Sequence, residues 1–123
     1  MIKGVGTDII EISRIQSAMK KNRHSFLKKI FTDIECEFYE KTNNKYESVA
    51  AGFASKEAVM KVLGTGLRGF TFKDIQILRD DLGKPYVRLY GGAMKIANSK
   101  GIASINLSVS HCKQYAVAFA VAD

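Results

Sequence analysis

The stretch GFASKEAVMKVLGTG, residues Gly52–Gly66, predicts the central helix of the fold and the loop that ends it. The longer run from about Tyr46 to Leu63 is apolar or small on nearly every side. Gly64 follows it at the position where helices commonly end. Because a helix that is apolar nearly all round is usually buried, we predict a buried helix over 46–63 and a glycine-rich loop after it.

Glu57 and Lys61 are the two charged residues of this helix that raise a functional question. They lie four residues apart and therefore share one face. On a solvated face such a pair is common and contributes only about 0.3 kcal/mol. In a buried helix, however, a charge needs a partner or a function. We therefore favour a functional role for Glu57 and Lys61 over an ordinary solvated ion pair.

Hydrophobic spacing and turn residues divide the rest of the chain into early helices and late strands. Before the central helix, the pattern predicts a strand over Met1–Ile9, a helix from Glu11 to about Asn22, a short apolar piece at Phe26–Phe31 and a helix from the Thr32–Glu35 capping box to about Thr42. After it, the pattern predicts a strand at Phe70–Ile77 with an irregularity near Lys73 and Asp74, and a partner strand at Tyr86–Tyr90. A helix over Gly92–Lys100 and a closing hairpin of Ser104–Ser110 and Tyr115–Val121, central to the sheet, follow. The predicted class is α+β, with a largely antiparallel β-sheet packed with helices in one small domain over residues 1–123.

Composition predicts a soluble globular protein with a polyanionic partner. The 123 residues are 46% hydrophobic and 25% charged, and no apolar run is long enough to span a membrane. The N-terminus lacks a signal-peptide pattern, so we expect the cytoplasm. The two cysteines lie in no spaced motif, which argues against a zinc site. The net charge of +7 suits nucleic acid, a phosphorylated metabolite or an acidic protein.

Asp8 lies between the first predicted strand and the helix that follows. An acid at this position is commonly a helix cap or a first-turn residue. Alternatively, it is a second carboxylate near Glu57. Two carboxylates, together with phosphate oxygens and waters, would suit Mg²⁺, which takes few protein ligands. The residue pattern alone leaves both interpretations open.

Three further segments are ambiguous when each is taken alone. The loop Gly64–Gly69 lacks the residue order of a Walker motif, and alone it indicates a flexible connection. Beside Lys61, its backbone amides could approach a phosphate. His111 ends a predicted strand, where a histidine is more often structural, although it could bind a phosphate. Gly83–Tyr86 is most simply a turn.

A basic stretch from Ile12 to Thr32 holds six cations and no acid: Arg14, Lys20, Lys21, Arg23, Lys28 and Lys29. Solvated faces usually mix both signs of charge, so this excess predicts a docking surface for an acidic partner. Met19 and Phe26 could add apolar contacts. A solvated face remains the plain alternative. Nucleic acid also remains possible, although the aromatic residues show no single-strand stacking pattern.

The motifs, in chain order, are GVGTDIIEISRI, GFASKEAVMKVLGTG, DDLGKPY and LSVSHCKQYAVAFAV. Together they resemble the holo-(acyl-carrier-protein) synthase family of small bacterial 4′-phosphopantetheinyl transferases, over essentially the whole chain. The resemblance implies that family's fold. It also implies transfer of 4′-phosphopantetheine from coenzyme A to a serine of apo-acyl carrier protein for fatty acid biosynthesis, giving adenosine 3′,5′-bisphosphate. A small basic nucleic-acid-binding module is the alternative.

The resemblance also implies roles for single residues. It makes Asp8 and Glu57 magnesium ligands, with Glu57 helping to take the serine proton and Lys61 neutralising the pyrophosphate as the third catalytic residue. The implied coenzyme A-binding residues are Lys61, Gly64, Gly66, Lys84, Pro85 and His111. The implied carrier-docking residues are Arg14, Lys20, Lys21, Arg23, Phe26 and Lys28.

The family is typically a homotrimer with active sites shared between subunits, so Asp8 and Glu57 need not come from one chain. The implied partners are an acidic acyl carrier protein and coenzyme A, with no nucleic acid and no membrane. One departure stands out, because many members read R-F-A-A-K-E-A where this chain has Gly52 and Ser55. If that arginine contacts coenzyme A, another cation must replace it here, and Arg68 and Lys45 are candidates.

Overall fold

The computed structural model describes residues 1–123 and has the predicted α+β class, with five strands and four helices. In chain order the elements are β1 (Gly4–Glu11), α1 (Ile12–Ile30), α2 (Asp33–Lys41), α3 (Tyr46–Leu63), a 3-10 turn (Phe72–Asp74), β2 (Ile75–Arg79), β3 (Pro85–Leu89), α4 (Gly91–Ser99), β4 (Ile105–His111) and β5 (Tyr115–Ala122). None of the helices combines the length and the apolar composition that crossing a membrane would need.

The strands form two antiparallel sheets. One has the order β1-β5-β4, and β2 pairs with β3 in a separate hairpin. The closing hairpin therefore supplies the central strand β5, as predicted, while β4 lies at an edge. The predicted strand over Phe70–Ile77 is wrong in its first half, although the irregularity predicted near Lys73 and Asp74 is present. Thr71 and Asp74 cap a 3-10 turn there, in which the Thr71 amide donates to the Asp74 carboxylate, and the strand begins only at Ile75.

Helix α3 lies directly on the three-stranded sheet because the facing residues are small. Alternate residues of β5 are buried alanines, namely Ala116, Ala118, Ala120 and Ala122. On β1, a Cβ at Gly6 would overlap the carbonyl oxygen of Ala58. Glycine is therefore required at position 6, and β1 approaches α3 at backbone distance.

The other face of this sheet is apolar and exposed. Strand residues alternate between the two faces, so the residues between the buried ones point away from α3. Five of them have large exposed side chains, and we call them the apolar sheet face: Val5, Ile9, Tyr115, Val117 and Phe119. No element of the chain covers this face.

Local signals placed two helices correctly. Helix α3 has the predicted bounds, and Gly64 ends it with a left-handed φ of 77°. Helix α2 begins with the predicted capping box, in which the Thr32 hydroxyl accepts from the Glu35 amide and the Glu35 carboxylate accepts from the Thr32 amide. Both predictions are confirmed.

A break falls at Asn22, where the pattern predicts the end of the first helix, but the chain after the break is helical and includes most of the apolar piece predicted at Phe26–Phe31. The helix continues to Ile30, with one non-helical residue inside it. Asn22 has φ −164° and ψ 89°, and its side-chain oxygen accepts from the Ser25 amide 3.0 Å away. Asn22 therefore interrupts the helix and also caps the segment that follows it.

The first strand is shifted from its predicted position. It runs over Gly4–Glu11 and pairs with β5 along its whole length, from Gly4 opposite Ala122 to Glu11 opposite Tyr115. Asp8 accordingly lies inside the strand, and the interpretation of Asp8 as a helix cap is wrong.

The fully buried charge of α3 is Lys56, which the sequence did not single out. Its side chain is 0% exposed, and its ammonium lies 2.7 Å from a carboxylate oxygen of Glu35, which is also buried. The apolar pattern predicts buried surroundings for Lys61, whose side chain is in fact 54% exposed.

Gly52 faces helix α2. A Cβ at this position would overlap the hydroxyl of the buried Tyr39 and crowd the ring of Phe31. The absent side chain therefore makes room for Tyr39. In this chain, position 52 is part of the packing between α2 and α3.

We expect Gly52→Ala to destabilise the fold by about 1–3 kcal/mol, as overpacked cores usually do, despite the better helix propensity of alanine. Removing the hydroxyl with Tyr39→Phe should recover most of this loss. Denaturant unfolding of both single variants and the double variant forms the cycle. Equal costs of Gly52→Ala with and without the hydroxyl would contradict the steric explanation.

Candidate active site

Asp8, Glu57 and Lys61 meet where β1 crosses α3. Asp8 follows Gly4 and Gly6 on the side of β1 that faces α3, so the bare backbone brings its carboxylate to the helix. The Lys61 ammonium lies 3.3 Å from Asp8 Oδ1 and donates to the Thr7 carbonyl at 2.7 Å. This contact joins residues 53 positions apart in the chain.

Glu57 borders two clefts. The loop cleft, of about 560 Å³, is lined by Glu57, Met60, Lys61, Gly64, Gly66 and Leu67. The α1 cleft, of about 410 Å³, is lined by Asp8, Ile9, Ile10, Arg14, Ile15, Ala18, Phe26, Phe53 and Glu57. The Glu57 carboxylate therefore lies between a space next to the glycine loop and a space next to helix α1.

The surroundings of Glu57 favour its protonated form. Partial burial raises the pKa of the Glu57 carboxyl, the negative charge of Asp8 raises it further, and the positive charge of Lys61 opposes both. A shared environment of this kind is typical of residues that transfer protons. Asp8 and Glu57 border the same cleft, which agrees with this effect of one carboxylate on the other.

The two carboxylates fit the magnesium prediction. Both are oxygen donors at the edge of one cleft, and no group of three or more acidic, histidine or cysteine residues in the chain is arranged to hold a metal ion. Mg²⁺ commonly uses one or two carboxylates and completes its shell with waters and substrate phosphates. Both carboxylates belong to one chain and border the same cleft, so a second subunit would not be needed to supply either.

The predicted coenzyme A-binding residues fall into two groups. Lys61, Gly64 and Gly66 line the loop cleft. A Cβ at Gly66 would meet no neighbouring atom, which leaves its backbone open to a ligand.

The remaining coenzyme A candidates lie elsewhere in the chain. Lys84 lies in the turn between β2 and β3, and Pro85 begins β3. His111 is exposed at the end of β4. None of the three lines either cleft, so their binding role stays a prediction.

The predicted docking residues also divide. Arg14 and Phe26 line the α1 cleft beside Glu57. Lys20 and Arg23 instead border a separate cavity near the start of α3, together with Lys45. The other two, Lys21 and Lys28, are exposed on α1.

Sequence reasoning missed most of the apolar residues of the clefts, among them Phe53, Met60 and Leu67. Phe53 lies four residues before Glu57 and Met60 lies three after it, so helical spacing placed both on its face. Their apolar character suggested core positions. Met60 is indeed in the core and Phe53 packs against it, but both residues and Leu67 also line the clefts beside the Glu57 carboxylate.

Comparisons with known proteins point to one family over nearly the whole chain. The family model described as the 4′-phosphopantetheinyl transferase superfamily matches residues 4–120. The chain is similar to holo-(acyl-carrier-protein) synthase of Alkaliphilus oremlandii, with 52% identity over 122 residues and 99% of each chain covered. Its fold is similar to the crystal structure of holo-(acyl-carrier-protein) synthase from Neisseria meningitidis, with a TM-score of 0.91, 36% identity and coverage of 100% of this chain and 99% of that one. It also resembles the Bacillus anthracis synthase in complex with CoA (3′,5′-ADP), with a TM-score of 0.81, 35% identity and coverage of 99% and 96%.

The charges around Glu57 predict opposite effects of two substitutions. Asp8→Asn removes the negative neighbour and should lower the pKa of Glu57, whereas Lys61→Met removes the positive neighbour and should raise it. The Glu57 carboxyl carbon can be followed by NMR titration without metal ions. Lys95→Met, an exposed change on α4, is the charge-matched control. Shifts of the same sign in both variants would contradict the assignment.

Proposed function

The chain belongs to the 4′-phosphopantetheinyl transferase superfamily, and we propose that it transfers 4′-phosphopantetheine from coenzyme A to a serine of apo-acyl carrier protein. The other product is adenosine 3′,5′-bisphosphate. One observation carries the proposal: Glu57 stands between a cleft with a cation and bare glycines and a cleft bordered by Arg14 and Phe26. The first suits a pyrophosphate, and the second suits a docked protein.

The loop cleft is the donor side. The Lys61 side chain is more than half exposed, so its ammonium is free to move from Asp8 to a phosphate oxygen. Gly66 offers backbone with no neighbouring atom in the way, and Gly64 lines the same cleft. Phosphoryl transfer depends mainly on positioning and on neutralising charge, and Lys61 can supply both for the leaving group.

The α1 cleft is the acceptor side. The carrier's serine oxygen attacks the phosphorus that bears the pantetheine arm, and the bond from that phosphorus to the bridging oxygen breaks. The serine proton passes to the Glu57 carboxylate, directly or through a water. In the absence of a metal ion, partial burial and the charge of Asp8 raise the pKa of Glu57, which favours proton uptake.

Asp8 and Glu57 would hold the magnesium ion. When bound, Mg²⁺ supplies positive charge to the pyrophosphate oxygens and relieves the repulsion between the two carboxylates. Asp8 has an 18% exposed side chain, so it keeps contact with solvent and can exchange the Lys61 ammonium for a metal ion.

The basic stretch supports an acidic protein partner. The structure contains two ion pairs, Lys56–Glu35 and Lys61–Asp8, and neither neutralises any of the six cations between Ile12 and Thr32. Complementary charge steers such partners together. A nucleic-acid-binding module would use the same cations but would give Asp8 and Glu57 no role. The free cysteines Cys36 and Cys112 agree with a reducing cytoplasm.

We also propose a homotrimer that buries the apolar sheet face. A contiguous exposed patch of this kind usually marks a protein interface. Lys84, Pro85 and His111 do not reach either cleft in their own chain, and a neighbouring subunit could bring such residues to the coenzyme A site. The trimeric number itself rests on the family resemblance.

The transfer is tested by incubating the protein with coenzyme A, Mg²⁺ and several apo-acyl carrier proteins, followed by intact mass measurement. We expect a phosphopantetheine-sized gain that disappears with a metal chelator. Glu57→Gln should lower the rate by about 10²-fold or more, the usual effect of losing a general base, while circular dichroism stays unchanged. No gain on any carrier, or normal turnover of Glu57→Gln, would refute the proposal.

The oligomer is tested on the apolar sheet face. Ile9→Asp and Phe119→Asp place charges in the proposed interface and should each convert the assembly to monomers in light scattering, because buried unpaired charge is costly. Leu82→Asp, which changes an exposed residue of the β2–β3 turn, is the matched control and should leave the assembly intact. Assembly by both face variants would rule out this interface.

A further inference from the structure

Lys56 uses all three of its ammonium protons inside the protein. It donates to the Ile30 carbonyl at 2.8 Å, to Glu35 Oε1 at 2.7 Å and to the Phe72 carbonyl at 3.1 Å. A lysine has three donors and no acceptor, so nothing remains for a substrate. The proposed mechanism gives this residue no chemical task, although it directly precedes Glu57.

The Ile30 contact has a specific effect on helix α1. Ile30 is the last residue of α1, where carbonyls lack partners within the helix. The Lys56 ammonium satisfies this carbonyl and places a positive charge at the negative end of the helix dipole. Lys56 thus acts as a cap for α1 from another helix.

The part of α1 that Lys56 caps is a segment of its own. Asn22 breaks the helix and caps the segment after it, which we call the α1 end segment, Arg23–Ile30. Its start is fixed by Asn22 and its end by Lys56. Phe26, which lines the α1 cleft beside Glu57, belongs to this segment.

Glu35 extends the attachment to two more elements. Its Oε1 accepts from the Thr32 amide at 2.8 Å and from Lys56, while its Oε2 accepts from the Ile77 amide at 2.9 Å in β2. The end segment is therefore anchored to a rigid set of contacts. That set includes the turn of α3 that also carries Glu57.

We propose that Lys56 is a positioning residue for carrier docking, holding the α1 end segment at a fixed distance from Glu57. Consecutive helix residues point about 100° apart. Glu57 therefore presents its carboxylate to the clefts, while Lys56 presents its ammonium to α1. The expected effect on carrier affinity rests on the proposed function, whereas the expected effect on the order of the α1 end segment does not. Asp8, Lys61 and Gly64, which we place on the coenzyme A side, are held by contacts that do not involve Lys56. Coenzyme A binding should therefore not depend on Lys56.

The test compares Lys56→Met with the double variant Glu35→Gln/Lys56→Met, which leaves no unpaired buried carboxylate, and with Lys95→Met as the exposed control. We expect the KM for the carrier to rise about tenfold or more in both Lys56 variants, because small misplacements are costly. The Kd for coenzyme A should stay within about twofold, in line with intact donor contacts. Equal loss of coenzyme A and carrier affinity, or unchanged carrier KM, would overturn the positioning role.

Hydrogen exchange gives a second readout that requires no activity. In the Lys56 variants, amides of the α1 end segment should exchange faster than those of 12–21, relative to the unaltered protein. In the unaltered protein, the end segment should open together with α3 as denaturant is raised. Opening of the end segment before α3 would overturn the proposal even if no variant folds. If the protein transfers nothing, the exchange result still decides the role of Lys56, so the two failures can be distinguished.

Discussion

The contact between α3 and the three-stranded sheet is made almost without side chains, and the position of the active site depends on it. A Cβ at Gly6 would overlap the backbone of Ala58, and β5 presents only alanines to the helix. The backbones therefore approach closely, which lets the short Asp8 side chain reach Lys61 on α3. A larger residue at position 6 would move β1 away from α3 and separate the carboxylates of Asp8 and Glu57. Dense packing of small residues thus sets the geometry of a charged site.

The same strand alternation produces both surfaces on which the proposed function depends. The residues of β1 that face α3 include Asp8, which borders the α1 cleft. The residues between them, such as Val5 and Ile9, form the apolar sheet face. A shift of one residue in the pairing of β1 with β5 would exchange the two sets. Catalytic placement and the proposed assembly are therefore fixed by a single register.

Features encoded by neighbouring residues were predictable from the sequence, and features that depend on the direction a helix faces were not. The bounds of α3 follow from Gly64, and the start of α2 follows from the Thr32–Glu35 capping box. Helical spacing correctly placed Glu57 and Lys61 on one face. It could not show that Lys61 is exposed or that Lys56 is the buried charge, because spacing gives relative angles and not the side that meets the sheet. Asn22 was interpreted as a helix end, since the cap that restarts the helix uses the same residue.

The family departure at Gly52 shows the same limit. The sequence suggested the loss of a cation near coenzyme A, whereas the structure places Gly52 against Tyr39, on the side of α3 that faces α2. In this chain the small residue is explained by the Tyr39 hydroxyl. The difference from the arginine of many family members therefore concerns the packing of α3 against α2 as much as the charge near coenzyme A.

The buried Lys56–Glu35 pair is better explained by the positions that its hydrogen bonds fix than by a contribution to the free energy of unfolding. Buried ion pairs are weak evidence for stability, because apolar residues of similar size often serve as well or better. An apolar pair, however, would satisfy neither the Ile30 carbonyl nor the Ile77 amide, and it would allow α1 to slide. Three hydrogen bonds from one ammonium fix both distance and angle. Such a constraint is useful where the end of one helix must stay in register with a carboxylate on another.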